Sequence, residues 1–190
     1  MLTNIIERYA QWTSWRKLAL GGVLFVSVML FLQLYFLPLA EKVTGGLPLI
    51  DNHSGYTPAE AYQLLEGYGE QGRHFYNYIQ IIDLFFPPLV GWFLSMAIIT
   101  LISRAFPNRK PLWRVGLYPF LIPVFDYAEN IGVFLLLRSV DSPIPFLARY
   151  TLLMHHVKLF FYMSSFALTF ITLLACGVQY ARTRNMKKQL

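Results

Sequence analysis

Four apolar stretches, each long enough to cross a bilayer, fall at roughly residues 18–39, 75–102, 115–137 and 146–178, and they leave this chain few ways to fold. A spanning helix needs about 20 apolar residues. In lipid every backbone N–H and C=O must be satisfied within its own segment, which selects helices over open sheets. The expectation is an all-α polytopic membrane protein: a four-transmembrane-helix bundle forming a single integral domain over residues 1–190, with an outer connection at 40–74. At 56% hydrophobic and 14% charged residues the chain is too apolar for a soluble domain of its size. The net charge of +6 does not point to nucleic acid, because the basic residues cluster at segment ends, where membrane topology puts them. Cys176 is the single cysteine, which excludes an intramolecular disulfide.

The segment ends set the orientation. Residues 1–17 form a short amphipathic lead that closes on Trp12, Trp15, Arg16 and Lys17, the aromatic and basic pairing of a membrane interface. The first apolar run is longer than a signal-peptide core and no small-x-small cleavage site follows, so it reads as an uncleaved anchor. The lead, the 103–114 connection with Arg104, Arg109, Lys110 and Arg114, and the tail with Arg182, Arg184, Lys187 and Lys188 are basic. The 40–74 connection instead carries Glu41, Asp51, Glu60, Glu66 and Glu70 against Lys42 and Arg73. Both termini are therefore expected in the cytoplasm, and the protein in a prokaryotic inner membrane. Within the outer connection, Thr57-Pro58-Ala59-Glu60 is a helix start with a capping box, predicting a short interfacial helix from Pro58 to about Gly67. Its apolar side, Ala61, Leu64, Leu65 and Tyr68, is expected at the membrane surface or over the bundle mouth, as packing or as a lid.

Polar groups inside the apolar stretches carry the functional signal. An acidic residue near the middle of a spanning helix costs about 2.5–3.5 kcal/mol on insertion scales, so such groups face protein, water or a ligand. The third stretch contains Asp126, Glu129 and Asn130. In the second, Arg73, Tyr76 or Asn77, Gln80, Asp83 and Pro87 succeed one another at steps of three or four and share one helix face. Pro87 and Pro88 should kink that helix beside Asp83 and free backbone carbonyls there, while Pro119 and Pro123 should bend the third span. In the fourth, His155, Lys158, Tyr162, Ser165 and Thr169 form one stripe of helical period. At about 1.5 Å per residue, Asp83, Asp126, Glu129, His155 and Lys158 all lie roughly 12–18 Å below the outer ends of their helices. Three helices thus bring ionisable groups to one level, which argues for a shared polar cavity in the outer half of the bilayer.

The charges in that cavity do not balance: three carboxyl groups face Lys158 and a histidine, His155 or His156. The remainder calls for a protonated acid, a bound cation, a cationic amphiphile or Arg73 reaching inward; the plain alternative is an ion pair that fixes helix register. Asp126, Glu129, Asp83, Lys158 and His155 are the candidate catalytic set, suited to general acid and base chemistry. Arg73, Tyr76, Gln80, Asn130 and Tyr162 are the candidate ligand-binding set. Asp83, Asp126, Glu129 and His155 also carry donors for a divalent metal, but no His-x-x-x-His or cysteine pair supports one, so no cofactor is expected. Gly-x-Ser-x-Gly elbows, phosphate loops and dinucleotide fingerprints are absent from the sequence.

The segments Gly72-Arg73-x-x-Tyr76, Asp83-x-x-Phe86-Pro87 and Asp126-x-x-Glu129-Asn130, with a lysine in the last span, resemble a group of small four-span prokaryotic membrane proteins of unassigned function. The resemblance covers Gly55 to Lys158 and implies that these residues belong together. A looser similarity, of architecture only, is to the four-span sterol isomerase and sigma-2 receptor group. The expected function is binding or conversion of a lipid-like or amphiphilic small molecule. The alternatives are ion or proton movement, as a homo-oligomer, and a non-enzymatic assembly subunit. Expected partners are membrane lipid and a lipid-like or cationic amphiphilic ligand.

Overall fold

The computed structural model describes residues 2–53 and 55–187. Among these the chain is helical, without a strand, and Trp15–Val43, Gly69–Ala105, Lys110–Arg138 and Pro145–Arg182 are long and apolar enough to cross a membrane. Each contains one of the four expected spans. Lys188, one of the basic tail residues, lies outside the described residues. In chain order the α-helices are α1 (Leu2–Trp12), α2 (Trp15–Phe31), α3 (Leu37–Val43), α4 (Pro58–Gly67), α5 (Gly69–Asp83), α6 (Phe86–Ala105), α7 (Leu121–Arg138) and α8 (Pro145–Lys187).

Prolines decide where these helices change character. Pro38 has no N–H and its ring would strike the carbonyl four residues back. The chain meets this with a wide π turn over Leu32–Phe36, closed by the Leu37 N–H on the Leu32 carbonyl, before α3 starts. Pro87 and Pro88 occupy the first turn of α6, where backbone N–H groups lack intrahelical partners anyway, so the expected kink becomes a break between Asp83 and Phe86. Pro119 lies in a 3-10 helix, Lys110–Phe120, and Pro123 in the first turn of α7, so the expected bend is realised as a change of helix type.

The described residues divide into two compact units. One draws on 2–25, 90–121 and 161–187. Its core joins Ile6 and Ala10 of α1, Ile98, Ile99 and Ile102 of α6, and Trp113 of the 3-10 helix. The amphipathic lead is thus a packed helix, and Glu7 on it pairs with Lys110 at 3.0 Å. Gly116 lies so close to Ile99 that a Cβ there would collide with that side chain.

The other unit draws on 26–89 and 122–160 and holds the larger core. α3 ends in a Schellman turn: Gly45 and Gly46 take φ of 72° and 83°, and the Gly46 N–H bonds the Glu41 carbonyl at 2.7 Å. α4 begins with the expected capping box, Thr57 N–H to Glu60 Oε2 at 2.7 Å and Glu60 N–H to Thr57 Oγ1 at 3.3 Å. Ala61, Tyr62 and Leu65 on α4, and Tyr68 just beyond it, pack into this core, so its apolar side is covered by protein. The Tyr62 hydroxyl pins α4 to the α7–α8 turn through the Ile144 N–H at 2.8 Å and Ser139 Oγ at 2.8 Å. A Cβ on Gly72 would lie 2.9 Å from Tyr68 Cβ and 3.3 Å from the Val43 carbonyl, so the absence of a side chain lets α5 run against the end of α3.

Candidate functional site

The second unit also contains the polar cluster. On α7, Asp126 and Glu129 are three residues apart and Asn130 follows Asp126 by four, which puts all three on one side of the helix. α8 presents His155 and Lys158 at the same spacing. What brings the two faces together is a close crossing: a Cβ on Gly132 would collide with Thr151 Oγ1 and lie 3.2 Å from Tyr150. The Tyr150 hydroxyl adds a second tie, donating to the Ala128 carbonyl at 3.2 Å.

At that crossing His155 Nδ1 meets Glu129 Oε1 at 2.9 Å, and Lys158 Nζ pairs with Glu129 Oε2 and lies 3.6 Å from Asp126 Oδ1. Glu129, Asp126 and His155 are 0%, 2% and 4% exposed, so the network is shut off from solvent. His156 faces outward and bonds the Leu152 carbonyl, which decides between the two histidines. From Asp126 the network continues through Asn130. Its amide donates to Asp126 Oδ2 at 3.3 Å and to Asp83 Oδ2 at 3.0 Å, while its backbone carbonyl accepts from Gln80 at 2.8 Å. Of the α5 face read from the sequence, Gln80 and Asp83 therefore meet the acidic face of α7.

Among the candidate ligand-binding residues, Tyr76 points elsewhere than the Asp126 end of the network. Its hydroxyl donates to Asp51 Oδ1 at 2.5 Å and accepts from the Asp51 N–H at 3.4 Å. Asp51, on a 3-10 turn at Ile50–Asn52, is a fourth acid at this site, one that helical periodicity does not place there. Burial pushes its carboxyl above the ordinary carboxylate range, Lys158 opposes the rise, Asp83 adds to it, and the Tyr76 hydroxyl opposes it. Tyr56 and Tyr68 are both raised, first by burial and then by acid charges that include Asp51. Arg73 does not reach the acids; it donates to the Leu65 carbonyl at 3.3 Å, closing the end of α4. Tyr162 belongs to the other unit and is half-buried. Tyr127, outside both candidate sets, donates its hydroxyl to the Leu84 carbonyl at 2.7 Å. That carbonyl is one that Pro88 deprives of a helical partner.

Four carboxyl groups thus share this region with one lysine and one histidine. Lys158 and His155 are committed to Glu129 and Asp126. Asp51 accepts from the Tyr76 hydroxyl and Asp83 from the Asn130 amide, Asp83 also shares a side-chain hydrogen bond with Asp126, and among the described residues neither Asp51 nor Asp83 has an ion-pair partner. Both line one small cavity of about 180 Å³, whose other walls include Leu32, Phe36, Leu37, Ile79, Ile82 and Phe86. A larger apolar groove of about 640 Å³ lies against α5 and α7 and touches the network at Gln80 and Asn130. Among the described residues no group of three or more His, Cys, Asp or Glu side chains converges as metal ligands. The Asn130 amide, a donor, sits between Asp83 and Asp126 where a cation bridging them would bind. No protein-family model matches the chain, and no curated protein or solved structure matches it.

Proposed function

We propose that this chain is an integral membrane protein whose four spans form a bundle, and that its acid-rich site binds a small amphiphile through a cationic head. The observation that carries this reading is the pairing of Asp51 and Asp83, without cationic partners, on the wall of one otherwise largely apolar cavity. Asp51 and Asp83 are half-buried, and a carboxylate drawn out of water favours a counter-charge or a proton. An ammonium supplies the first, and the apolar walls favour a hydrocarbon body attached to it. The cavity, about 180 Å³, suits an amine with a short apolar portion. Asp126, Glu129, Lys158 and His155 then hold the helices in register behind the binding pair, and supply an acid and a base should the ligand be converted. The excess of basic residues in the lead, the 103–114 connection and the tail supports cytoplasmic termini and an opening toward the 40–74 side.

Hexylamine, which stays protonated below about pH 10 as lysine does, is the direct probe, with hexanol as its neutral counterpart. Titration calorimetry on the detergent-solubilised protein should favour the amine by about tenfold or more, the scale of one charge-assisted hydrogen bond. Asp83→Asn and Asp51→Asn should erase the preference. Equal binding of amine and alcohol by the wild type would sink the reading.

One observation favours proton movement as a second reading: hydrogen bonds and ion-pair contacts, the longest 3.6 Å between Asp126 and Lys158, link Asp83 through Asn130, Asp126, Lys158 and Glu129 to His155. It predicts proton flux in liposomes that disappears in Asp126→Asn.

A further inference from the structure

The groove against α5 and α7 differs in chemistry from the cavity that holds Asp51 and Asp83. Its apolar walls are Ile81, Leu84, Ile131 and Phe134, all exposed. Tyr127 closes one end, and Arg138, in the last turn of α7, stands at the other. Tyr127 and Arg138 are eleven helical residues apart, about 16 Å at 1.5 Å per residue. That is half of the roughly 30 Å hydrocarbon core of a bilayer, the depth of one leaflet. The guanidinium of Arg138 lies over the Phe134 ring, 3.4 Å from its centroid, and donates to the Phe134 carbonyl at 3.4 Å; among the described residues it has no carboxylate within ion-pair distance. An apolar trough one leaflet deep, with a cation that has no carboxylate partner at its mouth, matches one kind of molecule in both length and charge.

We propose that this groove is a binding site for an anionic phospholipid, one acyl chain lying along Ile81, Ile131 and Phe134 and the phosphate meeting Arg138. The volume, about 640 Å³, is that of a pocket for a sizeable ligand. Because Gln80 and Asn130 form part of the wall, the chain of this lipid lies against the amide that bridges Asp83 and Asp126. Lipid occupancy is thereby tied to the order of the acidic network, while the headgroup and the proposed amine occupy separate places.

The test is native mass spectrometry of the full-length protein exchanged into nanodiscs of mixed phosphatidylglycerol and phosphatidylcholine with identical acyl chains. Wild type should retain phosphatidylglycerol preferentially, by about fivefold for one basic residue near the headgroups. Arg138→Ala should lose the preference, Arg138→Lys should keep most of it, and Ile131→Trp, which fills the trough, should retain neither lipid. Hexylamine binding measured on Arg138→Ala separates this site from the amine site, since it should be unchanged. A phosphatidylglycerol preference that survives in Arg138→Ala, or equal retention of both lipids by the wild type, would overturn the assignment.

Discussion

Removing Lys158 is the perturbation that bears most heavily on the acidic network. Its Nζ pairs with Glu129 Oε2 and lies 3.6 Å from Asp126 Oδ1, with the three side chains 12%, 1% and 3% exposed. Lys158→Met keeps the length and apolar stem of the side chain and deletes the charge. Glu129 is then left with His155, and Asp126 with the Asn130 amide and Asp83. Breaking a buried pair by removing one partner costs about 3–5 kcal/mol, because the remaining charge stays desolvated. Glu129→Gln leaves Lys158 with Asp126, 3.6 Å away, as its remaining counter-charge and should destabilise by less than Lys158→Met does. Removing both together neutralises the Lys158 to Glu129 pair at native size, so the cost that remains is that of Asp126 losing its lysine. The double variant should therefore be more stable than the sum of the singles by at least about 2 kcal/mol, well outside the 0.3–0.5 kcal/mol within which independent sites add. Equilibrium unfolding of the four proteins in mixed micelles, followed by tryptophan fluorescence, measures the cycle. A cost below about 1 kcal/mol for Lys158→Met, the value of an exposed pair, or additive singles, would refute a desolvated ion pair here.

Other expected outcomes follow from single contacts. Tyr127→Phe removes the donor to the Leu84 carbonyl and should cost about 1 kcal/mol; Pro88→Ala, which restores a backbone N–H within helical reach of that carbonyl, should offset part of the loss in an unfolding titration. Gly132→Ala drives a methyl into Thr151 and should cost about 1–3 kcal/mol as overpacking. It should also weaken the Lys158 to Glu129 coupling in the same cycle, and Thr151→Ala should relieve part of both effects. Asp51, whose carboxyl is raised by burial, should make hexylamine affinity climb as pH rises above the ordinary carboxyl value of about 4; Asp51→Asn should flatten that profile. Because the folded state takes up this proton more readily than the unfolded chain, unliganded stability should fall as pH rises through the same window, and calorimetry at stepped pH checks the sign.

Much of this arrangement is legible in local sequence, for reasons that are themselves local. Adjacent prolines must sit in the first turn of a helix or break one, so the interruption after Asp83 follows from Pro87 and Pro88 alone. Thr57 and Glu60 make a capping box from residues three apart, which needs no tertiary information. The meeting of Asp126, Glu129, His155 and Lys158 follows from the cost of burying such groups singly. Asp51 was out of reach because it returns to the site on an irregular connection, 25 residues before its partner Tyr76, and no periodicity encodes that return. Its one signal was an acid next to a short apolar run, Leu47 to Ile50, in a connection otherwise polar. Arg73 shares a helix face with Gln80 and Asp83, yet the short reach to the Leu65 carbonyl captures it first. Tyr127 needed the knowledge that a particular carbonyl on another helix was vacant. The lead helix buries Ile6 and Ala10, one turn apart, a spacing too brief to separate core packing from an interfacial face.

The most direct measurement is native mass spectrometry of the protein released gently from its own membrane, run beside Asp83→Asn and Arg138→Ala. The account predicts a discrete added mass of an amine-bearing amphiphile, present in wild type and Arg138→Ala and lost in Asp83→Asn, with anionic phospholipid as a separate adduct depleted in Arg138→Ala. A wild-type protein that emerges with the site empty, or an adduct that persists unchanged in Asp83→Asn, would contradict a cation-binding role for the two acids.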